Sequence, residues 1–169
     1  MRIRDLEQYS RSNNLEIQGV PEPPNENIIN VINSGAAFLK CPLSVNYIDA
    51  VHRVPTLTNR SNEVHKNIIV RFTSRRKRDE LLCAARQYRR DLKHTGPGIA
   101  IPGISSLIFI NEHLTKENKN LFKKARNAAK EKNYKYVWII HSINVACQYH
   151  QLLNYVLHYI IKLVVHFRD

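Results

Sequence analysis

The stretch Asn67-Ile-Ile-Val-Arg-Phe72 decides the fold of this chain. Its second, fourth and sixth residues are large and apolar, and they alternate with Ile69 and Arg71. This period of two is typical of a β-strand whose one face is buried. The stretch therefore predicts a central strand of a sheet, packed against a covering layer.

Three further strands are predicted, at residues 14–20, 45–54 and 107–110. Two amphipathic helices separate them, one after an N-cap at Asn25 and one after an N-cap at Ser74. The order β-α-β-β-α-β predicts an α+β fold, a split βαβ sandwich with both helices on one face of an antiparallel sheet. The other face would then be open, as in RRM-type domains, which bind bases there.

The chain beyond the predicted sheet differs in composition. Thr115 is predicted to cap a basic helix over residues 116–132, and a hairpin follows over residues 136–146. Residues 149–169 predict an apolar helix with a polar side chain in every turn, a pattern that argues against a membrane span. The predicted segments are a coiled-coil exit remnant (1–13), an RRM-like domain (14–111), a small basic helix-plus-hairpin domain (112–148) and an apolar helical tail (149–169).

The chain is strongly basic, with a formal net charge of +12 over 169 residues. Basic residues exceed acidic ones by seven in residues 54–100 and by four in residues 101–133, whereas residues 1–53 hold one more acid than base. A field of this kind attracts polyanions, and its localisation favours a binding surface over general solubility.

Catalytic and metal-binding signatures are not found in the sequence. It has no P-loop, no G-x-S-x-G, no H-E-x-x-H and no convincing pair of carboxylates, so we expect a non-enzyme without cofactor, metal or small-molecule substrate. Cys41, Cys83 and Cys147 are far apart, which favours buried, reduced thiols and an intracellular location, in the cytoplasm or nucleus.

Several segments, in their order and spacing, resemble the first-open-reading-frame proteins of LINE-type (non-LTR) retrotransposons. The second half is also similar to the C-terminal domain of baculovirus few-polyhedra proteins and their insect relatives. The segments that carry the resemblance are Leu6-Glu-Gln-Tyr-Ser-Arg-Ser-Asn-Asn-Leu-Glu-Ile-Gln-Gly-Val-Pro-Glu22, Ala50-Val-His-Arg-Val-Pro55, the stretch at 67–72, Leu81-Leu-Cys-Ala-Ala-Arg86, Ile108-Phe-Ile-Asn-Glu-His-Leu-Thr115 and Tyr134-Lys-Tyr-Val-Trp138.

The resemblance implies a protein that binds single-stranded RNA or DNA with little sequence preference and acts as a nucleic-acid chaperone. It also implies trimerisation through an upstream coiled coil. That coiled coil is essentially missing here, so self-association through it or through the apolar tail stays open. The runner-up function is a few-polyhedra-type interaction protein with a protein partner, and a decayed retroelement copy is a third alternative.

Phosphate contacts should dominate recognition, because the predicted open face offers Glu16, Gln18, Asn67 and Arg71 where an RRM has stacking aromatics. The run 75–78 could be a solvated face or a contact, and Tyr88 is an aromatic available for stacking in the basic cluster that follows Arg86. Arg86 matches a family position implicated in binding. The candidate contacts are Arg53, Arg60, Lys66, Arg71, Arg86, Arg89, Arg90, Lys116, Lys119, Lys123 and Arg126.

Overall fold

The described residues divide by their contacts into two compact units, one within residues 10–113 and one formed by residues 3–9 together with 114–131, 136–140 and 143–147. We call them the sheet unit and the C-terminal unit. The predicted tail at residues 149–169 lies outside the described residues, and no described helix is long and apolar enough to cross a membrane. The computed structural model describes residues 3–54, 65–91, 98–131, 136–140 and 143–147.

The sheet unit is an α+β fold with one four-stranded antiparallel sheet. Its strands are β1 (Asn14–Gln18), β2 (Ile48–Val54), β3 (Asn67–Phe72) and β4 (Phe109–Glu112). They lie in the order β2-β3-β1-β4, so that Val70 of β3 pairs with Leu15 of β1 and with Val51 of β2. The stretch that starts the sequence argument is thus a central strand.

One face of this sheet is packed against α2 (Ile28–Phe38) and α3 (Arg75–Asp91). The side chains of Leu15, Ile68 and Val70 are completely buried in this core. Burial of a side chain of this size stabilises the fold by about 1.5–3 kcal/mol. The alternation read from the sequence therefore reports the face that holds the core.

Three local predictions need correction. Asn27, rather than Asn25, caps α2, because its side chain accepts a hydrogen bond from the Asn30 N–H at 3.1 Å. Residues 45–47 form a 3₁₀ turn before β2. β4 begins two residues later than predicted, because Ile108 makes an isolated bridge with Ile99 instead of pairing with β1.

The second face of the sheet is not open at its centre. Glu16 and Ile69 are 2% and 3% exposed, and Asn67 is also buried. The Asn67 amide donates a hydrogen bond of 2.7 Å to the Glu16 carboxylate, so these polar groups are engaged with each other. The expectation of an open face is therefore wrong at these positions, whereas Arg71 remains exposed.

Gly19 links β1 to the chain before β4 by a close backbone approach. Its φ is +83°, and a Cβ built there would lie 2.1 Å from the Leu107 carbonyl oxygen. We expect Gly19→Ala to lower the free energy of unfolding by about 2 kcal/mol in urea titrations, from backbone strain plus this overlap. Gly103→Ala is the control, since its φ is +85° but no atom of the described residues lies within 4 Å of a Cβ built there. Equal losses would contradict the steric part of the argument.

The C-terminal unit is built from two helices and a hairpin. These elements are α1 (Ile3–Ser10), α4 (Lys116–Glu131), β5 (Tyr136–Ile140) and β6 (Ile143–Cys147). The strands pair in register from Tyr136 opposite Cys147 to Ile140 opposite Ile143, and α4 packs against both of them.

Gln8 of α1 completes the N-terminal cap of α4. The Thr115 hydroxyl accepts from the Asn118 N–H at 3.2 Å, which caps the helix itself. The side-chain oxygen of the buried Gln8 accepts two hydrogen bonds, one from the backbone N–H of Thr115 at 2.9 Å and one from the side-chain amide of Asn118 at 2.8 Å. In a capping box this task falls to a residue of the same helix. The first turns of the chain therefore stabilise the start of α4.

Candidate nucleic-acid interface

Arg53 lies inside the sheet unit, and its guanidinium group has no free donor. It forms a bidentate pair with Glu26, and its other N–H groups donate to the carbonyls of Val20, Pro21 and Lys66 at 2.8–3.1 Å. The side chains of Arg53 and Glu26 are only 6% and 11% exposed. This pairing lowers the pKa of the Glu26 carboxyl and raises the pKa of Arg53. Arg53 thus ties β2 to the turn after β1 instead of facing a ligand.

The candidates near Arg53 and on β3 are compensated by carboxylates. Lys66 contacts Glu22 at 3.3 Å, and Arg71 contacts Asp49 at 2.9 Å. All four side chains are at least 40% exposed, so these pairs are weak and could exchange for a phosphate. Arg60 lies outside the described residues.

The basic run at the start of α3 is largely neutralised by neighbouring acids. Arg76 and Lys77 both contact Glu80, at 3.2 and 2.7 Å. The Arg78 guanidinium is buried and lies between Asp79 and Glu112. These contacts favour a structural role for the run over direct binding.

The later part of α3 holds a less compensated group of cations. Arg86 reaches Glu112 at 3.2 Å, and Arg90 donates to the Gln87 side chain at 2.6 Å. Arg89 is half-buried, and it has no ion-pair partner within the described residues. Burial, and to a smaller extent the charge of Arg86, lowers the pKa of Arg89. A desolvated guanidinium without a carboxylate is a favourable partner for a phosphate.

Tyr88 does not supply the stacking aromatic predicted for this cluster. Its ring packs against Phe38 with centroids 5.3 Å apart, and its hydroxyl donates to the Ala100 carbonyl at 3.3 Å. The side chain joins α3 to α2 and to the segment before β4. It is therefore part of the fold.

The basic side chains of α4 form a stripe along one side of the helix. At 100° per residue they occupy about 80° of its circumference and extend about 21 Å along its axis. All five are exposed, and the buried residues Ala125 and Ala129 are centred about 120° around the helix from the middle of this set. We call this set the α4 stripe; its members are Lys116, Lys119, Lys123, Arg126 and Lys130.

The α4 stripe differs from the run on α3 in its partners. No carboxylate among the described residues pairs with Lys116, Lys123 or Lys130, which recur every seventh residue. The acids of α4, Glu117 and Glu131, lie on the other flank of the exposed surface. Uncompensated cations on one face are what sequence-blind phosphate binding requires.

Phe122 is a residue that the sequence argument missed. The Arg126 guanidinium lies over its ring, with the carbon 5.9 Å from the ring centroid. The ring is half-buried and borders the α4 stripe. Its spacing of four residues from Arg126 is a signal that the sequence does contain.

The described residues contain no group of three His, Cys, Asp or Glu side chains that could hold a metal ion. Cys41 is half-buried, and its burial raises the thiol pKa. Cys83 is exposed, so the expectation of a buried thiol is wrong there.

The basic helix α4 lies within a segment that matches a protein-family model. Residues 115–143 match the family model for baculovirus FP protein domain 2. The match begins at the Thr115 cap, contains all of α4 and β5, and ends at the first residue of β6. No curated protein matches the chain. The similarity to few-polyhedra proteins therefore holds for this short segment.

Proposed function

We propose that this chain binds single-stranded RNA or DNA with little sequence preference, through phosphate contacts made by the α4 stripe. The observation that carries the proposal is the row of exposed lysines at positions 116, 123 and 130, which lack carboxylate partners among the described residues. Such contacts are strong at low salt and indifferent to base identity. Nucleic-acid chaperone activity is part of the same proposal, since a chaperone must bind strands of any sequence.

The later α3 cations supply a second contact surface in this proposal. Arg89 and Arg90 have no carboxylate partner among the described residues, and Arg86 shares Glu112 with Arg78. A phosphate could therefore replace Glu112 as the partner of Arg86, because the Glu112 carboxylate would still be paired with Arg78. Lys66 and Arg71 are weaker members, because each must leave its own acid.

The sheet unit would act as a scaffold of RRM type. Its element order and the strand order β2-β3-β1-β4 support this arrangement. The buried centre of the second face argues against base binding on the sheet itself. An origin in a LINE-type retroelement and an intracellular location belong to the same proposal, which involves no catalysis and no cofactor.

A filter-binding titration of single-stranded RNA and DNA at a series of salt concentrations tests the proposal. The logarithm of the binding constant should fall linearly with the logarithm of the salt concentration, by about 0.7 for each phosphate neutralised. Comparable constants for homopolymers of different bases are expected as well. Undetectable binding at low salt, or binding that salt does not weaken, would contradict the proposal.

A second candidate function is an interaction protein of the few-polyhedra type, with a protein partner. The match of residues 115–143 to baculovirus FP protein domain 2 favours it. Pull-down before and after nuclease treatment separates the two functions. A partner that survives nuclease treatment supports the interaction protein, whereas loss of every partner supports nucleic-acid binding.

A further inference from the structure

We infer that Phe122 and Arg126 form a stacking site for one unpaired base beside the α4 stripe, which makes the surface selective for single strands. The inference rests on the proposed function, since the phosphates held by the stripe bring the base to the ring. It adds a subsite for a base to a surface that is otherwise only electrostatic.

The geometry of the pair supplies the first argument. In the free protein the Arg126 guanidinium lies over the Phe122 ring, 5.9 Å from its centroid, and no carboxylate of the described residues holds it elsewhere. A planar base presents the same kind of π-face to an aromatic ring and to a guanidinium group. The pair can therefore accept a base on the ring, with Arg126 moving to the base or its phosphate.

The position of the ring supplies the second argument. Phe122 lies at the boundary between the buried face of α4 and the α4 stripe, one residue before Lys123. Its ring is half-buried, so one part is fixed by packing and another part is accessible. A strand whose phosphates follow the lysines would pass this accessible edge.

Single-strand selectivity follows from the stacking geometry. In a duplex both faces of each base are covered by neighbouring bases, so the ring could not reach one without unstacking it. Phosphate contacts alone do not distinguish the two forms in this way.

The inference is tested with a polydeoxythymidine strand and a strand of the same length made of abasic residues, which carry equal numbers of phosphates. The wild-type chain should bind the thymidine strand about 5- to 150-fold more tightly, the range expected for stacking of one base. Phe122→Leu should bring this ratio close to one and leave binding of the abasic strand unchanged. Arg126→Lys, which keeps the charge and loses the planar group, should lower the ratio partly.

The matched control is Tyr47→Leu. Lys77 lies over the Tyr47 ring at 5.0 Å, but this lysine is held by Glu80. The control should leave the ratio at its wild-type value.

Equal binding of both strands by the wild-type chain overturns the stacking site and leaves the phosphate proposal standing, whereas binding of neither strand at low salt overturns both. If Phe122→Leu weakens both strands equally and lowers Tm, the ring is only part of the core and the inference is wrong.

Discussion

Replacing three lysines of the α4 stripe in the triple variant Lys116→Gln, Lys123→Gln, Lys130→Gln should make the plot of log binding constant against log salt concentration less steep by about 2.1. Each lost phosphate contact contributes about 0.7 to that slope for a single strand. Between 50 and 200 mM salt, that part of the slope corresponds to a loss in affinity of about 20-fold. The wild-type chain should show this additional loss and the triple variant should not. Filter binding of a homopolymer at several salt concentrations measures it.

The control for this prediction removes the same charge from the sheet unit. Glutamine at Lys40, Arg76 and Lys77 lowers the net charge equally, but two of these side chains already pair with Glu80. Glutamine has a helix propensity close to that of lysine, so α4 should remain folded, which far-UV circular dichroism can verify. The control should change the slope by less than the value of about 0.7 expected for one phosphate contact. Equal effects of both variants would mean that the general field, not the α4 stripe, determines binding.

Arg53→Ala should lower the free energy of unfolding by about 3 kcal/mol, because it leaves the largely buried Glu26 carboxylate without its partner. Three backbone carbonyls that accept from Arg53 also lose their donor. Urea denaturation measures the loss. Arg71→Ala is the matched control, since its pair with Asp49 is exposed and should contribute less than about 1 kcal/mol. Similar losses in the two variants would contradict the internal role of Arg53.

The same ion pair should make stability depend on pH. Hydrogen bonds from Arg53 hold the pKa of Glu26 below its ordinary value of 4.5 in the folded chain. A carboxyl with a lowered folded-state pKa contributes stability that is present above its unfolded value and is lost as the pH falls through the folded value. The difference in stability between the wild-type chain and Arg53→Ala should therefore be largest near neutral pH and shrink below pH 4.5. A constant difference down to strongly acidic pH would contradict it.

Much of the sheet unit could be predicted from local patterns. The alternation at residues 67–72 identified a strand and the face that holds its core. Element order then limited the sheet to few arrangements. In the order found, β2-β3-β1-β4, only the pair β2–β3 joins strands that are consecutive in the chain. Exact ends were less predictable. At the start of α2 two asparagines two residues apart are both suitable caps, and the local hydrogen bond is made by Asn27. The start of β4 depends on the pairing of Ile108 with Ile99.

The α4 stripe is the part of the candidate site that the sequence by itself determined. Its members recur at three and four residues, and the period of the helix places them on one side whatever surrounds it. Only the tertiary structure decided which of the other predicted cations are free of a carboxylate and so available to a phosphate. Arg53 meets Glu26 across 27 positions, and Arg86 meets Glu112 across 26. These two pairs join distant segments, which periodicity does not report, whereas the pairs of Arg76 and Lys77 with Glu80 lie within one helix, where the sequence spacing already indicates them.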